Sequence, residues 1–440
     1  MRYSAQIQAA TEVLIDLETN HRPADRVIAY YFNNNRYIGS KDKKAITEVI
    51  YGVLRHRGMI DWALERVGAP IKARMRVAAW LQLKGGEKDL REIYNGEKYA
   101  PPKLWRTEKP VLEVVKEVNK NKKDMPAYAR FGFPQWLEET LSEAYGADLP
   151  TLMESLNTQA QTDLRTNTLK TTPDELTLRL QEEGYKVTSA PLVAQGLRLD
   201  DPKNLFQVPM FKEGLFEVQD AGSQLIAILC QAEPGQKVTD FCAGAGGKTL
   251  ALSAAMANKG VLSAGDIIPQ KLVELKKRQK RAGVDNAVLH EWSSEVDQWV
   301  KRHKGTQDVV LLDVPCSGSG VWRRNPDAKW HLTPERLAEL CEIQKNILES
   351  ASRLVKKGGR LIYATCSILP EENMRQIESF ISEQNSFKIV PIEDVWAELA
   401  QKGHVKGTLP PSCIDKAGTA QLLPHKTQTD GFFITILERV

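Results

Sequence analysis

The sequence predicts an α/β protein: a Rossmann-like domain with a seven-stranded, mostly parallel sheet, preceded by an all-α bundle and a small α+β module. Three observations carry this. Apolar residues recur at helical intervals from Ile7 to Val67, helices and strands mix between Pro134 and about Glu213, and short apolar strands alternate with helical stretches after Glu217. The expected segments are 1–133, 134–215 and 216–440.

In the first segment, Ile7, Ala10, Val13, Leu14 and Leu17, and then Ile46, Val49, Ile50, Val53 and Leu54, fall on single helical faces. From Lys84 to Pro102 the periodicity lapses, and Gly85, Gly86, Gly96, Pro101 and Pro102 mark an irregular excursion. Lysines 116, 120, 122 and 123 follow. The second segment holds LRTNTL, a helix opening at Pro173, and YKVTSA. The third holds the seven strand-like runs KVTDFC, GVLSAGDI, AVLHEW, DVVLLDV, RLIYATC, FKIVPI and FFITIL. Strands alternating with helices indicate a parallel sheet covered on both faces, and ligands of such sheets bind beyond the carboxyl ends of the strands.

A chain of 440 residues, 42% of them apolar, can build two or three cores. No run approaches membrane-spanning length and no secretory signal is expected at the N-terminus. Six scattered cysteines without CxxC spacing argue against a disulfide framework and for a reducing cytoplasm. With seven dispersed histidines and no HExxH, no metal is expected. The net charge of +4 conceals an asymmetry: 25 Lys and Arg stand against 16 Asp and Glu up to Pro134, and 35 against 40 beyond it. A basic front segment is an argument for a polyanionic partner, set against the commoner alternative of a solvated charged face.

The first strand of the third segment runs into Asp240-Phe241-Cys242-Ala243-Gly244-Ala245-Gly246-Gly247-Lys248-Thr249, where glycines let the backbone turn sharply and approach a ligand. GxGxxG fails at Thr249 and GxxxxGK[ST] fails at Cys242, which points away from NAD and ATP. Asp266 ends the second strand, where a carboxylate can accept from both ribose hydroxyls. An adenosine cofactor without a pyrophosphate fits, and S-adenosylmethionine qualifies. Asp313-Val314-Pro315-Cys316 ends the fourth strand and Thr365-Cys366-Ser367 the fifth. A single cysteine there reads as a buried small hydrophobe, but two at carboxyl strand ends suggest chemistry. Carbon 5 of a pyrimidine becomes nucleophilic only after a thiolate adds to carbon 6, and a second group must remove the carbon-5 proton or release the adduct. The second thiol is a candidate for that duty, and Asp313 for pairing with the ring nitrogen edge.

These motifs resemble the RNA cytosine-5 methyltransferases of the Nol/Nop/Sun class, most closely the RsmB-like enzymes acting on small-subunit (16S) ribosomal RNA. DFCAGAGGKT is similar to the family's cofactor loop, LLDVPCSGSGVWRRNPDAKW to its Pro-Cys region, YATCSILPEEN to its Thr-Cys region and DGFF to its last strand; NTQAQTDLRTNTLK and GLFEVQDAGSQL also resemble family segments. The resemblance implies a class I S-adenosylmethionine methyltransferase with Cys366 as nucleophile, Cys316 assisting release, and Asp313 contacting base and cofactor. It places Cys242, Ala243, Gly244, Ala245, Gly246, Gly247, Lys248 and Asp266 against S-adenosylmethionine. It makes the front segment a NusB-like RNA-binding bundle and the α+β segment a second RNA-binding module, in a monomer.

Departures are visible too. Where the family has a Gly-Asp pair after the third strand, this chain has His290-Glu291-Trp292-Ser293, with Glu291 the nearest acid. Arg323 and Arg324 are candidates for a phosphate and Trp322 and Trp330 for base stacking, against solvation and packing; Glu372 and Asn373 read as a helix start. A DNA cytosine-5 methyltransferase would need no Thr-Cys-Ser thiol, and a non-catalytic RNA-binding assembly factor would need neither thiol. Transfer RNA remains the alternative substrate to ribosomal RNA.

Overall fold

The structure, a computed structural model, describes the chain except residues 21, 86–88, 122, 201–203 and 296; Gly86 and Lys122 of the sequence reading lie outside the described residues. The chain forms two compact units, one of residues 1–158 with 322–334, the other of residues 159–321 with 335–440.

The first unit is all-α. Helices α1 (Tyr3–Asn20), α2 (Ala24–Asn34), α3 (Ser40–Arg66) and α4 (Ala73–Leu83) bury the faces that the apolar spacing marks, including Ile7, Val13 and Leu17 of α1 and Ile46, Ile50 and Val53 of α3. Helices α3 and α4 approach closely at Gly52, where a Cβ would stand 2.4 Å from Trp80 Cε2. Arg76 ties three helices together, donating to both oxygens of Asp61 (2.7 and 2.9 Å) and to Glu18. The expected excursion follows α4, with one short helix, Leu90–Ile93.

This unit differs from the expected first segment in two ways. It runs past residue 133 to Thr158, because helices Glu138–Tyr145 and Leu149–Leu156 pack within it. It also takes in the strap 322–334, which follows the Pro-Cys loop in sequence. Trp330 donates through Nε1 to the Leu54 carbonyl (2.7 Å), Ala24 N–H donates to Asp327 (3.0 Å), and Lys329 Nζ donates to Asn157 Oδ1 (2.7 Å). Trp322 is fully buried, so it and Trp330 pack rather than offer stacking faces, and Arg323 is buried too. Helical periodicity cannot reveal a segment that joins a bundle from nearly 300 residues away.

The second unit holds two sheets. Strands β1 (Thr162–Thr166), β2 (Val187–Ser189), β3 (Gly196–Leu199) and β4 (Phe216–Val218) form an antiparallel sheet in the order β2-β3-β1-β4, accompanied by helix Pro173–Glu182. The larger sheet contains β5 (Lys237–Asp240), β6 (Val261–Asp266), β7 (Ala287–Glu291), β8 (Gln307–Asp313), β9 (Val355–Thr365), β10 (Phe387–Val390), β11 (Ala420–Leu422) and β12 (Phe432–Arg439), ordered β10-β12-β9-β8-β5-β6-β7 with β11 paired to β12. Strands β5 to β9 are parallel; β10, β11 and β12 pair antiparallel.

The expected seven strands are present, and the described sheet has eight. The addition, β11, is three residues long and leaves almost no periodic trace. Strand β8 justifies its continuous apolar run: Val309 and Leu311 join the core on one face of the sheet, Val310 and Leu312 that on the other. Strand β5 pairs with β6 on one side and β8 on the other, so strand order reverses there and a crevice opens beyond the carboxyl ends.

Candidate active site

The loop after β5 is built by hydrogen bonds to its neighbours. Phe241 N–H donates to the Leu311 carbonyl (3.0 Å) and Ala243 N–H to the Gly265 carbonyl (2.8 Å). Gly244 and Gly246 take positive φ (56° and 87°), and a Cβ on Gly246 would lie 1.9 Å from Leu275 Cδ1. Helix Gly247–Ala255 starts there. Asp266, at the end of β6, accepts from Gly244 N–H and Ile268 N–H (both 2.9 Å), so it braces the loop as well as facing the crevice.

The crevice holds a cavity of about 350 Å³. Of the expected cofactor residues, Cys242, Ala243, Gly244, Ala245, Gly247, Lys248, Asp266 and Asp313 line it; Gly246 does not, being turned against Leu275. Glu291, the nearest acid in sequence, is not the acid at the cavity. Glu291 is exposed and off the cavity, whereas Trp292 and Glu295 line it. Trp292 is held by its Nε1 donation to the Phe241 carbonyl (2.9 Å) and lies where a Cβ on Gly265 would be 1.9 Å from its ring. A glycine inside a strand is the sequence signal for such an approach.

Lys248 crosses the crevice to Asp313, Nζ to Oδ2 at 2.6 Å. Burial opposes its charge, but Asp313, and then Cys366 and Asp240, hold the Lys248 ammonium above its ordinary range. Asp240, at the end of β5, accepts from Thr249 (2.7 Å) with one oxygen and, among the described residues, has no hydrogen-bond donor on the other; burial pushes it up to about 7. Behind the loop, buried Arg165 of β1 donates to Gln219 (2.9 Å) and to the Gly247 carbonyl, and Gln219 lines the cavity. Arg165 and Gln219 belong to LRTNTL and GLFEVQDAGSQL, which the sequence flags without a local role.

Cys316 and Cys366 come together as expected from adjacent strand ends. Their sulfurs are 3.4 Å apart, and both residues are partly exposed. Neither lines the cavity, but Asp313 and Pro315, just before Cys316, do. The contact with Cys366, and then enclosure, push the Cys316 thiol well up, so it stays protonated beside its partner.

Glu372 and Asn373 stand at the start of helix Met374–Glu383 as expected, but the Asn373 side chain makes no cap hydrogen bond to it. Glu372 is fully buried and accepts from Ser317 N–H (2.7 Å), Ser317 Oγ and Gln344 Nε2 (3.0 Å), clamping the loop that carries Cys316. Gln344 also donates to the Pro315 carbonyl (2.9 Å). Asn373 accepts from Thr365 Oγ1 (2.6 Å) and donates to the Ser367 carbonyl (3.0 Å), fixing the turn at Cys366. Gly320 and Gly431 face each other, since a Cβ on Gly431 would stand 2.8 Å from Gly320 Cα. This contact explains the glycine in DGFF.

Comparison with known proteins shows the family to which the chain belongs. The sequence profile of the family described as 16S rRNA methyltransferase RsmB/F matches residues 227–438, and that of the ferredoxin-like domain of RsmF/B-like methyltransferases matches residues 133–205. A Synechocystis protein named "Probable ribosomal RNA small subunit methyltransferase B" is 31% identical over 90% of this chain and 91% of its own. The Proteus mirabilis protein named ribosomal RNA small subunit methyltransferase B is 32% identical over 78% of this chain and 84% of its own. Among solved structures, a methyltransferase homolog from Pyrococcus horikoshii is 26% identical, covering 71% of this chain and 98% of its own with a TM-score of 0.61. The glycine loop, the Trp292 wall and the size of the cavity fit S-adenosylmethionine. The chain therefore belongs to the RsmB/F family of S-adenosylmethionine-dependent methyltransferases.

Proposed function

We propose that this protein methylates carbon 5 of a cytosine in RNA, with 16S ribosomal RNA as the substrate the relatives favour, through a covalent adduct at carbon 6. The observation that carries the reading is the pair of sulfurs 3.4 Å apart beside the Asp313–Lys248 ion pair. S-adenosylmethionine in the cavity supplies an electrophilic methyl carbon. Cys366 adds to carbon 6 as the thiolate, forming the C–S bond and turning carbon 5 into an enamine nucleophile. The Cys316 sulfur, 3.4 Å from that of Cys366, is placed to act as the proton-handling partner beside the adduct.

Asp313 has two oxygens, of which Oδ2 is taken by Lys248, leaving the other to pair with the base edge. Cys316 gives up its thiol proton to solvent and, as the thiolate, accepts the carbon-5 proton; the C–S bond at carbon 6 then breaks, Cys366 leaves as thiolate and aromaticity returns. The base must leave its stack to reach these groups. The helical unit, with its excess of Lys and Arg, and the ferredoxin-like module are the proposed RNA-binding parts, the former being NusB-like.

Incubation with S-adenosylmethionine and small-subunit RNA from cells lacking the protein tests this. Cys366→Ser should abolish methyl transfer, and Cys316→Ser should leave protein bound to RNA on a denaturing gel. Adducts that form only with Cys316 intact would reverse the roles, and a wild-type chain that transfers no methyl group would reduce it to a binding factor. Bisulfite sequencing separates ribosomal from transfer RNA.

A further inference from the structure

The irregular stretch 94–109 of the helical unit is ordered by groups beneath it and open to solvent above. Arg74, in the first turn of α4, donates through Nη2 to the carbonyls of Pro102 (2.6 Å) and Lys103 (3.2 Å) and lies 4.9 Å from the Tyr94 ring centroid. Tyr94 is buried and returns a hydrogen bond from its hydroxyl to the Arg74 carbonyl (3.1 Å). Glu108, 2% exposed, accepts from Trp105 N–H (3.1 Å) and pairs with Lys72 (3.1 Å) and Arg74 (3.3 Å). The stretch is therefore a built loop, fixed by a buried carboxylate and an arginine.

What that framework presents is unusual. Trp105 is 67% exposed and Tyr99 71%, although large aromatics ordinarily bury most of their surface. Tyr99 also takes a positive φ of 69°, strained for a bulky residue and held by the pinned turn around it. Lys98, Lys103, Arg106 and Lys109 are all exposed, and among the described residues none of the four is in an ion pair. Both carboxylates of the stretch are already committed, Glu97 to Arg2 and Glu108 to Lys72 and Arg74. Exposed rings in a frame of uncompensated cations are complementary to a chain of unstacked bases on phosphates. A protein surface would call for acids or a continuous apolar patch, and this loop offers neither.

We infer that the 94–109 loop grips a single-stranded segment of the RNA substrate, with Trp105 and Tyr99 stacking on bases and Lys98, Lys103, Arg106 and Lys109 meeting phosphates. This rests on the proposed RNA substrate and adds a site remote in sequence from the two cysteines. Stacking on a rigid ring tolerates any base, so the loop would add affinity and leave the choice of cytosine to the catalytic crevice.

The test uses the full chain and a fluorescently labelled single-stranded 12-nucleotide RNA, with Kd read by anisotropy. Trp105→Ala and Tyr99→Ala should each weaken binding by about fivefold to a hundredfold, as expected for loss of one base–aromatic stack. Trp105→Phe should keep most of the affinity. Lys98→Gln with Lys103→Gln should lower the slope of log K against log salt by about 0.7 per lost contact. Affinity for S-adenosylmethionine should be unchanged throughout. Binding of the Trp105→Ala, Tyr99→Ala double variant within twofold of wild type, with wild type still methylating RNA, would overturn the loop assignment alone. A wild type that neither binds nor methylates RNA would instead strike the proposed function.

Discussion

Glu372 offers the sharpest separation between holding the fold and positioning the chemistry. Its carboxylate takes three donors, two of them from Ser317, the residue after Cys316. Glu372→Ala removes all three bonds. Gln344 keeps the Pro315 carbonyl as an acceptor, while the partly exposed Ser317 recovers water for only some of its loss. At about 1.5–3 kcal/mol for a charged hydrogen bond, and with partial rehydration, the cost is roughly 3–5 kcal/mol. Glu372→Gln keeps the shape and one acceptor oxygen, and its amide can donate to Ser317 Oγ, so the cost falls to about 1–2 kcal/mol.

The functional consequence follows from what the clamp holds. A shift of about 1 Å at a reacting group can cost about a hundredfold in rate. Glu372→Ala should thus lower the single-turnover rate of methyl transfer about a hundredfold and Glu372→Gln less than tenfold. The residue does not line the cofactor cavity, so Kd for S-adenosylmethionine by calorimetry should change less than about threefold. A lowered melting temperature in Glu372→Ala with an unchanged rate would refute the positioning argument, as would equal losses in the Ala and Gln variants.

Lys329 should declare itself through pH. Burial, and then Arg55, lower it from 10.5 to about 7, so the unfolded chain binds more protons between those values and stability rises as pH climbs from about 7 to about 10.5. Lys329→Met removes a cost of ~4 kcal/mol at pH 7, less ~1 kcal/mol for the donor lost by Asn157. Urea unfolding should find the variant more stable near neutrality and the advantage gone near pH 10; a pH-independent difference would contradict this. Gly265→Ala should push Trp292 off the cavity wall and weaken S-adenosylmethionine binding at least tenfold by calorimetry, because a ring 1.9 Å from the new Cβ cannot stay in place.

Much of the catalytic unit was legible from the chain because its signals are local. Period-two and period-3.6 patterns mark strands and helices, the glycines of residues 244–247 mark the turn after β5, and a cysteine after each of two apolar strands marks the thiol pair. Strand order at the sheet center then brings adjacent carboxyl ends together, so Cys316 and Cys366 could be matched before any distance was known. The three-residue β11 and the strap at 322–334 were not legible, one too short to be periodic and the other packed into a bundle far from it in sequence.

What the sequence by itself determined is the α/β class of the catalytic unit, the helical front and the residue types gathered at the strand ends. Only the tertiary structure decided that Glu372 clamps Ser317, that Trp292 takes the wall where an acid was sought, and that Trp105 and Tyr99 stay in water. The physical reason is one of range. Backbone preference and hydrophobic period act over a few residues, whereas a buried carboxylate finds its donors, or a ring its glycine, only after distant segments have packed.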